Sequence, residues 1–248
     1  MNRFIILGSA NAVPKIGQEN THLYAQAENH RILVDCGDNA LVSLKKNKVD
    51  PNTITDLVLT HFHPDHAGSL PLFIMTMWLE KRNLPLTIHG LEFTLDRAKA
   101  LLGLFGWNNW AGVYPVSFNP VNDEGLTTLI QDVNVKVTGM PVKHLIPTIG
   151  LRIDFKDGKS VTYSCDTEPC ENLMSLAKGA DILLQESAGP GKGHTSAAQA
   201  GEIATTANVK HLVLIHYDQS VGGQQLIKAA QENYKGEVSL AVDGMSLF

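Results

Sequence analysis

The segment Thr60-His61-Phe62-His63-Pro64-Asp65-His66 decides the fold, because it places three imidazoles and one carboxylate directly after the apolar run Leu57-Val58-Leu59. A short apolar run of this kind is typical of a buried strand. The polar side chains therefore lie where a strand ends and the chain turns toward a helix, which the sequence predicts at 68–82. A turn held by a strand can direct several side chains toward one point.

The spacing within this segment predicts a metal site. His61 and His63 are two residues apart, so their side chains point the same way if the segment is extended. Asp65 and His66 follow in the turn and face a second point nearby. Neutral imidazole and carboxylate both suit zinc. We expect one ion on His61 and His63 and another on Asp65 and His66; the alternative is a polar loop that is rich in histidine by chance.

Length and composition indicate a globular protein with one large domain or two small ones, and we predict one domain over 1–248. Of the 248 residues, 44% are hydrophobic and 18% are charged, which is ordinary for such proteins. No apolar run approaches the roughly 18–20 residues of a membrane span, so no membrane partner is expected. Three cysteines without C-x-x-C spacing favour reduced thiols and a cytoplasmic location. The net charge of −5 is unlike that of proteins that hold long nucleic acid on a broad basic face.

Strand and helix patterns alternate along the chain, which predicts an α/β architecture. The clearest helices are expected near 92–104, 173–177, 196–207 and 224–234, and a helix after 38 is expected to turn Leu41, Val42 and Leu44 inward. Period-two alternation predicts a strand at 132–138 with Val133 on its buried face. A hairpin turn is predicted at 156–159, and the last strand at 238–242.

Polar residues recur where predicted strands end, at His63, His144, Asp166, Glu186 and His216. The ends of strands in an α/β sheet converge, and ligands bind there. These residues are therefore candidates for one site.

The H-x-H-x-D-H pattern after a short apolar strand resembles the signature of the metallo-β-lactamase superfamily. The resemblance implies an αβ/βα four-layer sandwich with two divalent metal ions, Zn²⁺ first and Mn²⁺ or Fe²⁺ as replacements. It also implies that His144 joins His61 and His63 on one ion, that His216 joins Asp65 and His66 on the other, and that Asp166 bridges both. Asp35, which follows a predicted strand, is expected either to accept a hydrogen bond from a metal-bound imidazole or to serve as a turn residue.

The stretch Gly193-His194-Thr195-Ser196 resembles the histidine motif of the ribonuclease Z branch, as do Leu7-Gly8-Ser9 and Asp35-Cys36-Gly37. The resemblance implies that His194 contacts the phosphate or protonates the leaving oxygen, with Glu186 orienting it. The branch carries an arm that clamps tRNA, which in the short bacterial form lies between the positions matching His144 and Asp166. Here that interval holds a plain hairpin, so we expect a small anionic phosphodiester or nucleotide rather than long RNA.

The predicted reaction is hydrolysis by a hydroxide that bridges two ions roughly 3.5–4 Å apart. His194 would act as general acid, and Asp65 would handle the proton of the attacking water. One alternative is a lactonase or thioesterase-type acyl hydrolase with the same metals, against which the His194–Glu186 pair argues. Another is a binding protein that retains the metal site. Trp107 and Trp110, in a segment rich in Gly and Asn, are expected either to form a hydrophobic turn on the core or to contact a second copy in a homodimer.

Overall fold

The computed structural model describes residues 2–248 and arranges them as two β-sheets with helices outside. The strands are β1 (Arg3–Gly8), β2 (His22–Ala27), β3 (His30–Val34), β4 (Asp56–Val58), β5 (Leu86–Leu91), β6 (Val116–Val121), β7 (Thr127–Gln131), β8 (Val135–Val142), β9 (Thr148–Phe155), β10 (Ser160–Tyr163), β11 (Ile182–Glu186), β12 (His211–Ile215), β13 (Glu237–Leu240) and β14 (Met245–Ser246). The helices are α1 (Ala40–Lys46), α2 (Pro64–Ala67), α3 (Leu70–Leu79), α4 (Glu92–Leu104), α5 (Glu171–Ala177), α6 (Ala197–Thr206) and α7 (Gly223–Asn233), with 3₁₀ turns at Pro51–Thr53 and Trp107–Asn109.

Each sheet is antiparallel on one side and parallel on the other. The first sheet has the order β14-β1-β2-β3-β4-β5-β6, antiparallel up to β3 and parallel from β3 to β6. The second has the order β13-β12-β11-β10-β9-β8-β7, parallel from β10 to β13 and antiparallel elsewhere. Because parallel strands end at the same edge, the loops after them lie together.

The buried apolar residues form three clusters, one between the two sheets and one between each sheet and its helices. In β1, Phe4 and Ile6 face the core between the sheets, while Ile5 and Leu7 face the helices outside. This follows from the alternation of side chains along a strand, and burial on both faces makes β1 apolar throughout. Helices α1, α3 and α4 cover the first sheet, and α5, α6 and α7 cover the second. The predicted αβ/βα four-layer sandwich is confirmed.

Local signals fixed several boundaries. The side chain of Asn39 caps α1 by accepting from Val42 N at 3.3 Å. Ser196 and Gln199 form the predicted capping box of α6, which holds two otherwise unpaired backbone donors. The β9–β10 hairpin turns at 156–159 as predicted.

The helix expected at 68–82 is present as α3, and the short helix α2 before it was not predicted. The Ser69 hydroxyl, which bonds the carbonyls of Cys36 and Asp38, lies between the two helices. Three other expectations about local structure were wrong. Val42 is exposed (41%) because it lies on the outer side of α1. Val133 is also exposed (81%), because Asp132 accepts from two backbone amides and forms a turn before β8. The chain does not end with the strand at 238–242, since β14 follows and pairs with β1.

Trp107 and Trp110 pack on the core beside α4. Trp110 stacks on Trp78 with ring centroids 5.3 Å apart, and Trp107 meets the edge of Phe118 at 6.2 Å. The expectation of a hydrophobic turn on the core describes them, although their neighbour Phe105 is 61% exposed. Among residues 2–248, every helix is too short or too polar to cross a bilayer.

Candidate metal centre

The strand ends of both sheets bring all seven predicted metal-binding side chains into two adjoining clusters. The loop between β4 and α2 carries His61 and His63, and α2 itself carries Asp65 and His66. The other three residues follow strands of the second sheet, each at the same edge: His144 after β8, Asp166 after β10 and His216 after β12. The site therefore lies where the two sheets meet, which is why no single segment contains it.

The first cluster consists of the imidazoles of His61, His63 and His144. Nε2 of His61 lies 3.0 Å from Nδ1 of His63, and Nε2 of His144 lies 3.2 Å from the same atom. Two nitrogens bound to one tetrahedral zinc ion at 2.0–2.1 Å would be about 3.3 Å apart. The spacing of these nitrogens fits an ion of that size.

The second cluster consists of Asp65, His66, Asp166 and His216. Oδ2 of Asp65 lies 3.5 Å from Nε2 of His66 and 3.4 Å from Nε2 of His216. Oδ1 of Asp166 lies 3.5 Å from both of these nitrogens. His66 Nε2 and Asp166 Oδ1 are buried and have no hydrogen-bond partner within residues 2–248. Buried polar atoms without partners are costly, and a cation between them would satisfy both.

Asp35 fixes the orientation of His66 from behind. Its buried carboxylate accepts from His66 Nδ1 at 2.8 Å, from Thr60 Oγ1 at 2.7 Å and from Thr60 N at 2.8 Å. With Nδ1 donating to Asp35, the lone pair of His66 Nε2 faces the cluster. Of the two expectations for Asp35, the hydrogen bond to a candidate ligand is the one that the structure contains.

Two further neighbours of the first cluster were not revealed by the sequence. Thr60 Oγ1 and Cys165 Sγ lie 3.2 Å and 3.4 Å from His61 Nδ1. Cys165 adopts a φ of 53°, a left-handed conformation that is uncommon outside glycine. The one available signal was position, since Cys165 directly precedes Asp166.

Burial and charge act in opposite directions on the clustered side chains. Burial lowers the pKa of His66, but the carboxylates of Asp166 and Asp35 outweigh it and raise that pKa well above its usual value. Burial raises the pKa of Asp166, but His216 and His66 outweigh it and hold that pKa well below its usual value. For His61 burial dominates and lowers the pKa well below its usual value. His61 is thus held neutral, the form in which imidazole binds metals.

His194 lies beside both clusters. Its ring contacts His144 edge-on at 5.1 Å between centroids and stacks over His216 at 6.0 Å. Its Nδ1 lies 3.3 Å from Glu186 Oε1, as an ion pair whose geometry falls outside that of a hydrogen bond. The contact with Glu186 raises the pKa of His194 despite partial burial.

Glu186 is fully buried and holds several loops at once. Its carboxylate accepts from the backbone amides of Thr195 at 2.7 Å, Ala188 at 2.8 Å and Thr167 at 3.2 Å. Burial raises the pKa of Glu186. The predicted pair of His194 and Glu186 is therefore brought together next to the clusters.

The other four histidines of the chain lie away from the two clusters. His30 and His89 share the carboxylate of Asp56, each at 2.9 Å. His22 bonds the carbonyl of Asn20, and His211 bonds the hydroxyl of Ser239. Within residues 2–248, none of the four belongs to a group of side chains that could hold an ion.

Comparison with known proteins places the chain among hydrolases of this architecture. Residues 30–217 match the family model of the β-lactamase superfamily domain. A protein named ribonuclease Z from Mycolicibacterium gilvum is 30% identical over 238 residues, which cover 86% of this chain and 82% of that protein. The structure of the short form of human tRNase Z has a TM-score of 0.80 at 21% identity and covers 100% of this chain and 99% of its own. A diphosphatase of the PhnP family has a TM-score of 0.79 at 19% identity and covers 100% of this chain and 98% of its own.

Proposed function

This chain belongs to the metallo-β-lactamase superfamily, in its ribonuclease Z-like branch, and from that premise we propose that it hydrolyses a small phosphodiester. It is a metal-dependent hydrolase of the phosphodiesterase type, and its family implies divalent metal ions. The finer proposal concerns which residues act and on which substrate. The observation that carries it is the His194–Glu186 pair beside two adjoining ligand clusters.

We propose that two divalent ions, Zn²⁺ first, are held by the two clusters. His61, His63 and His144 would hold one, and Asp65, His66 and His216 the other, with Asp166 between them. When bound, such ions supply positive charge to the phosphoryl oxygens and acidify a nucleophilic water. The buried atoms His66 Nε2 and Asp166 Oδ1, which have no hydrogen-bond partner in the part of the chain that the structure describes, support this assignment. Metal binding releases the protons of its imidazole ligands, and two aspartates with five neutral histidines then leave two dications with excess positive charge, which favours an anionic substrate.

His194 is the proposed general acid. The contact with the Glu186 carboxylate raises the pKa of His194, which favours the protonated form that a general acid needs. Its Nδ1 faces Glu186, which leaves Nε2 to deliver a proton to the departing oxygen. Without that proton, an alkoxide leaving group would depart slowly.

Asp65 is proposed to take the proton of the attacking water. Burial raises its pKa, but His216 and His66 outweigh burial and lower it. The carboxylate is therefore ionised at neutral pH and able to accept a hydrogen bond. Its side chain is more exposed than that of Asp166, at 13% against 3%, which supports the division of roles between them.

A small substrate is proposed because the interval between His144 and Asp166 holds the β9–β10 hairpin and no longer insertion. The net charge of −5 also disfavours a long polyanion. The core shared by the two sheets supports treating 1–248 as one hydrolase domain. Three free cysteines, two of them buried, support a reducing cytoplasmic location.

We also propose a homodimer that uses the apolar hollow near Trp110. Pro71, Leu72, Met75 and Phe105 line this hollow of about 220 Å³ together with Trp110. Leu72 and Phe105 are 44% and 61% exposed, and exposed apolar patches often mark protein contacts. Light scattering after gel filtration tests the proposal: F105S should give a monomer, while L126S, also at an exposed apolar residue, should not. A wild-type monomer at micromolar concentration would reject it.

The activity is tested with protein loaded with Zn²⁺ or Mn²⁺. Bis(p-nitrophenyl) phosphate, a simple lactone and a precursor tRNA are offered in parallel, with and without chelator. We expect chelator-sensitive cleavage of the diester, an inert lactone and slow cleavage of the tRNA. H211A, at a histidine outside the clusters, serves as the control for H194A. Lactone opening with an inert diester would favour the acyl hydrolase, and no turnover by fully loaded protein would favour a binding protein.

A further inference from the structure

The loop that carries His194 is fastened on both sides of that residue by a different carboxylate. Thr195 N donates to Glu186 Oε1 at 2.7 Å, and Gly193 N donates to Glu168 Oε1 at 3.0 Å. The Glu186 bond is wholly buried, whereas Glu168 has 25% of its side chain exposed. His194 therefore stands between two backbone amides that are each held to another segment of the chain.

Gly193 also contacts a proposed metal ligand directly. Its carbonyl accepts from His144 Nδ1 at 2.7 Å, so His144 Nε2 keeps its lone pair for the first cluster. Gly193 has a φ of 84°, and a Cβ there would lie 2.9 Å from His144 Nδ1. The residue is thus held in a conformation that suits glycine, against the ring that it orients.

Glu168 is itself anchored to the strand end that carries His144. Its backbone amide donates to Lys143 O at 2.7 Å, and its Oε2 pairs with Lys143 Nζ at 2.6 Å. A single side chain consequently joins three segments: the end of β8, the loop after β10 and the loop that bears His194. Because Lys143 is 65% exposed, its ion pair with Glu168 alone would contribute little to stability. The hydrogen bond from Gly193 N is the contact that connects Glu168 to the site.

We propose that Glu168 is a positioning residue that, through Gly193, sets the tautomer of His144 and the place of His194. This rests on the proposed function for its catalytic consequence, but the structural consequence does not depend on any substrate. Loss of the Glu168 carboxylate should free the loop at 189–194. His144 would then lose its fixed acceptor, and His194 one of its two supports.

Four variants separate this role from a surface ion pair. E168A removes the acceptor, E168Q keeps an oxygen that can accept from Gly193, K143M removes only the lysine partner, and E171A removes a nearby exposed carboxylate as a control for charge. Three experiments are made on each variant: amide hydrogen exchange of the peptide spanning 188–196, Zn²⁺ affinity by competition with a chelating dye, and steady-state kinetics that give kcat and KM for bis(p-nitrophenyl) phosphate.

For E168A we expect at least tenfold faster exchange at 193–194 and a loss of Zn²⁺ affinity of about tenfold, the lower end for an outer hydrogen-bond partner of a metal ligand. We expect kcat to fall about tenfold with KM within about twofold. E168Q and K143M should lose only a small part of each property compared with E168A. E171A should match the wild type.

Unchanged exchange and Zn²⁺ affinity in E168A would overturn the proposal, as would equal losses in K143M or E171A. If the wild type hydrolyses no diester, the proposed function fails, while exchange and affinity still decide the role of Glu168.

Discussion

Replacing Asp35 with asparagine tests how the candidate metal centre is supported. Both carboxylate oxygens are in use, one by Thr60 N and the other by Thr60 Oγ1 and His66 Nδ1. An asparagine has one carbonyl oxygen and one amino group. In either orientation of the amide, a buried donor of Thr60 or His66 faces an NH₂ group and loses its acceptor.

The expected loss follows from these contacts. A hydrogen bond to a charged acceptor contributes about 1.5–3 kcal/mol to stability, so D35N should lower the free energy of unfolding by about 2 kcal/mol. Loss of an outer partner of a metal ligand weakens metal affinity by about 10–100-fold. Asp35 has a φ of 62°, which asparagine also tolerates, so the substitution adds little backbone strain.

Two assays measure the two losses separately. Urea denaturation of the metal-free protein gives the free energy of unfolding, and competition with a chelating dye gives the Zn²⁺ affinity. D157N, in the exposed turn of the β9–β10 hairpin, removes the same charge away from the site and should change neither. If D35N keeps its Zn²⁺ affinity within about threefold and its stability within about 0.5 kcal/mol, the proposed support of His66 is refuted.

Further predictions concern the general acid and two parts of the scaffold. H194A should lower kcat for a diester by about 10²-fold with bound metal unchanged; loss of metal would show that His194 is a ligand instead. Because Glu186 raises the pKa of His194, E186Q should lower the pKa of His194 and move the alkaline limb of the kcat–pH profile to lower pH. An unchanged limb would show that Glu186 does not set the pKa of the general acid. Burial raises the pKa of Asp56, but hydrogen bonds from two histidines outweigh burial and lower that pKa. The ionised Asp56 therefore stabilises the fold above about pH 3.9, and this contribution is lost as the pH falls through the pKa of Asp56 in the folded protein. D56N should therefore cost about 2 kcal/mol at pH 7, with the difference shrinking in denaturation curves recorded near pH 3. Arg82 donates to the carbonyls of five residues, which one ammonium cannot span, so R82K should lower the unfolding free energy by about 3 kcal/mol; a change below about 0.5 kcal/mol would contradict this.

The sequence predicted the fold where local signals agreed with tertiary packing. Helix α4 occupies the predicted range at 92–104 because its apolar spacing and its packing against the first sheet coincide. The segment at 60–66 was recognisable because four candidate ligands are close in sequence. His144, Asp166 and His216 were placed by resemblance, since distances between segments leave no periodic signal.

Elements that depend on long-range pairing were missed. Strands β6 and β7 were not predicted, and β14 has two residues whose extended form depends on pairing with β1. Val133 fits a strand pattern by its residue type. It lies in a turn, however, because the side chain of Asp132 accepts hydrogen bonds from the backbone amides of Asn134 and Val135. Glu168 and Cys165 acquire their contacts to the site through folding alone, so neither carries a motif in the sequence.

The dispersal of the site over both sheets has a consequence for the protein in the cell. Side chains from His61 to His216 converge only when the two sheets are joined, so an ion that binds them binds the folded chain and not the unfolded one. Its binding free energy then adds to the free energy of unfolding, by about 2.7 kcal/mol at a free ion concentration 100 times the dissociation constant. When metal is scarce, the chain would unfold more often and be degraded sooner, so its abundance as well as its turnover would follow the metal supply.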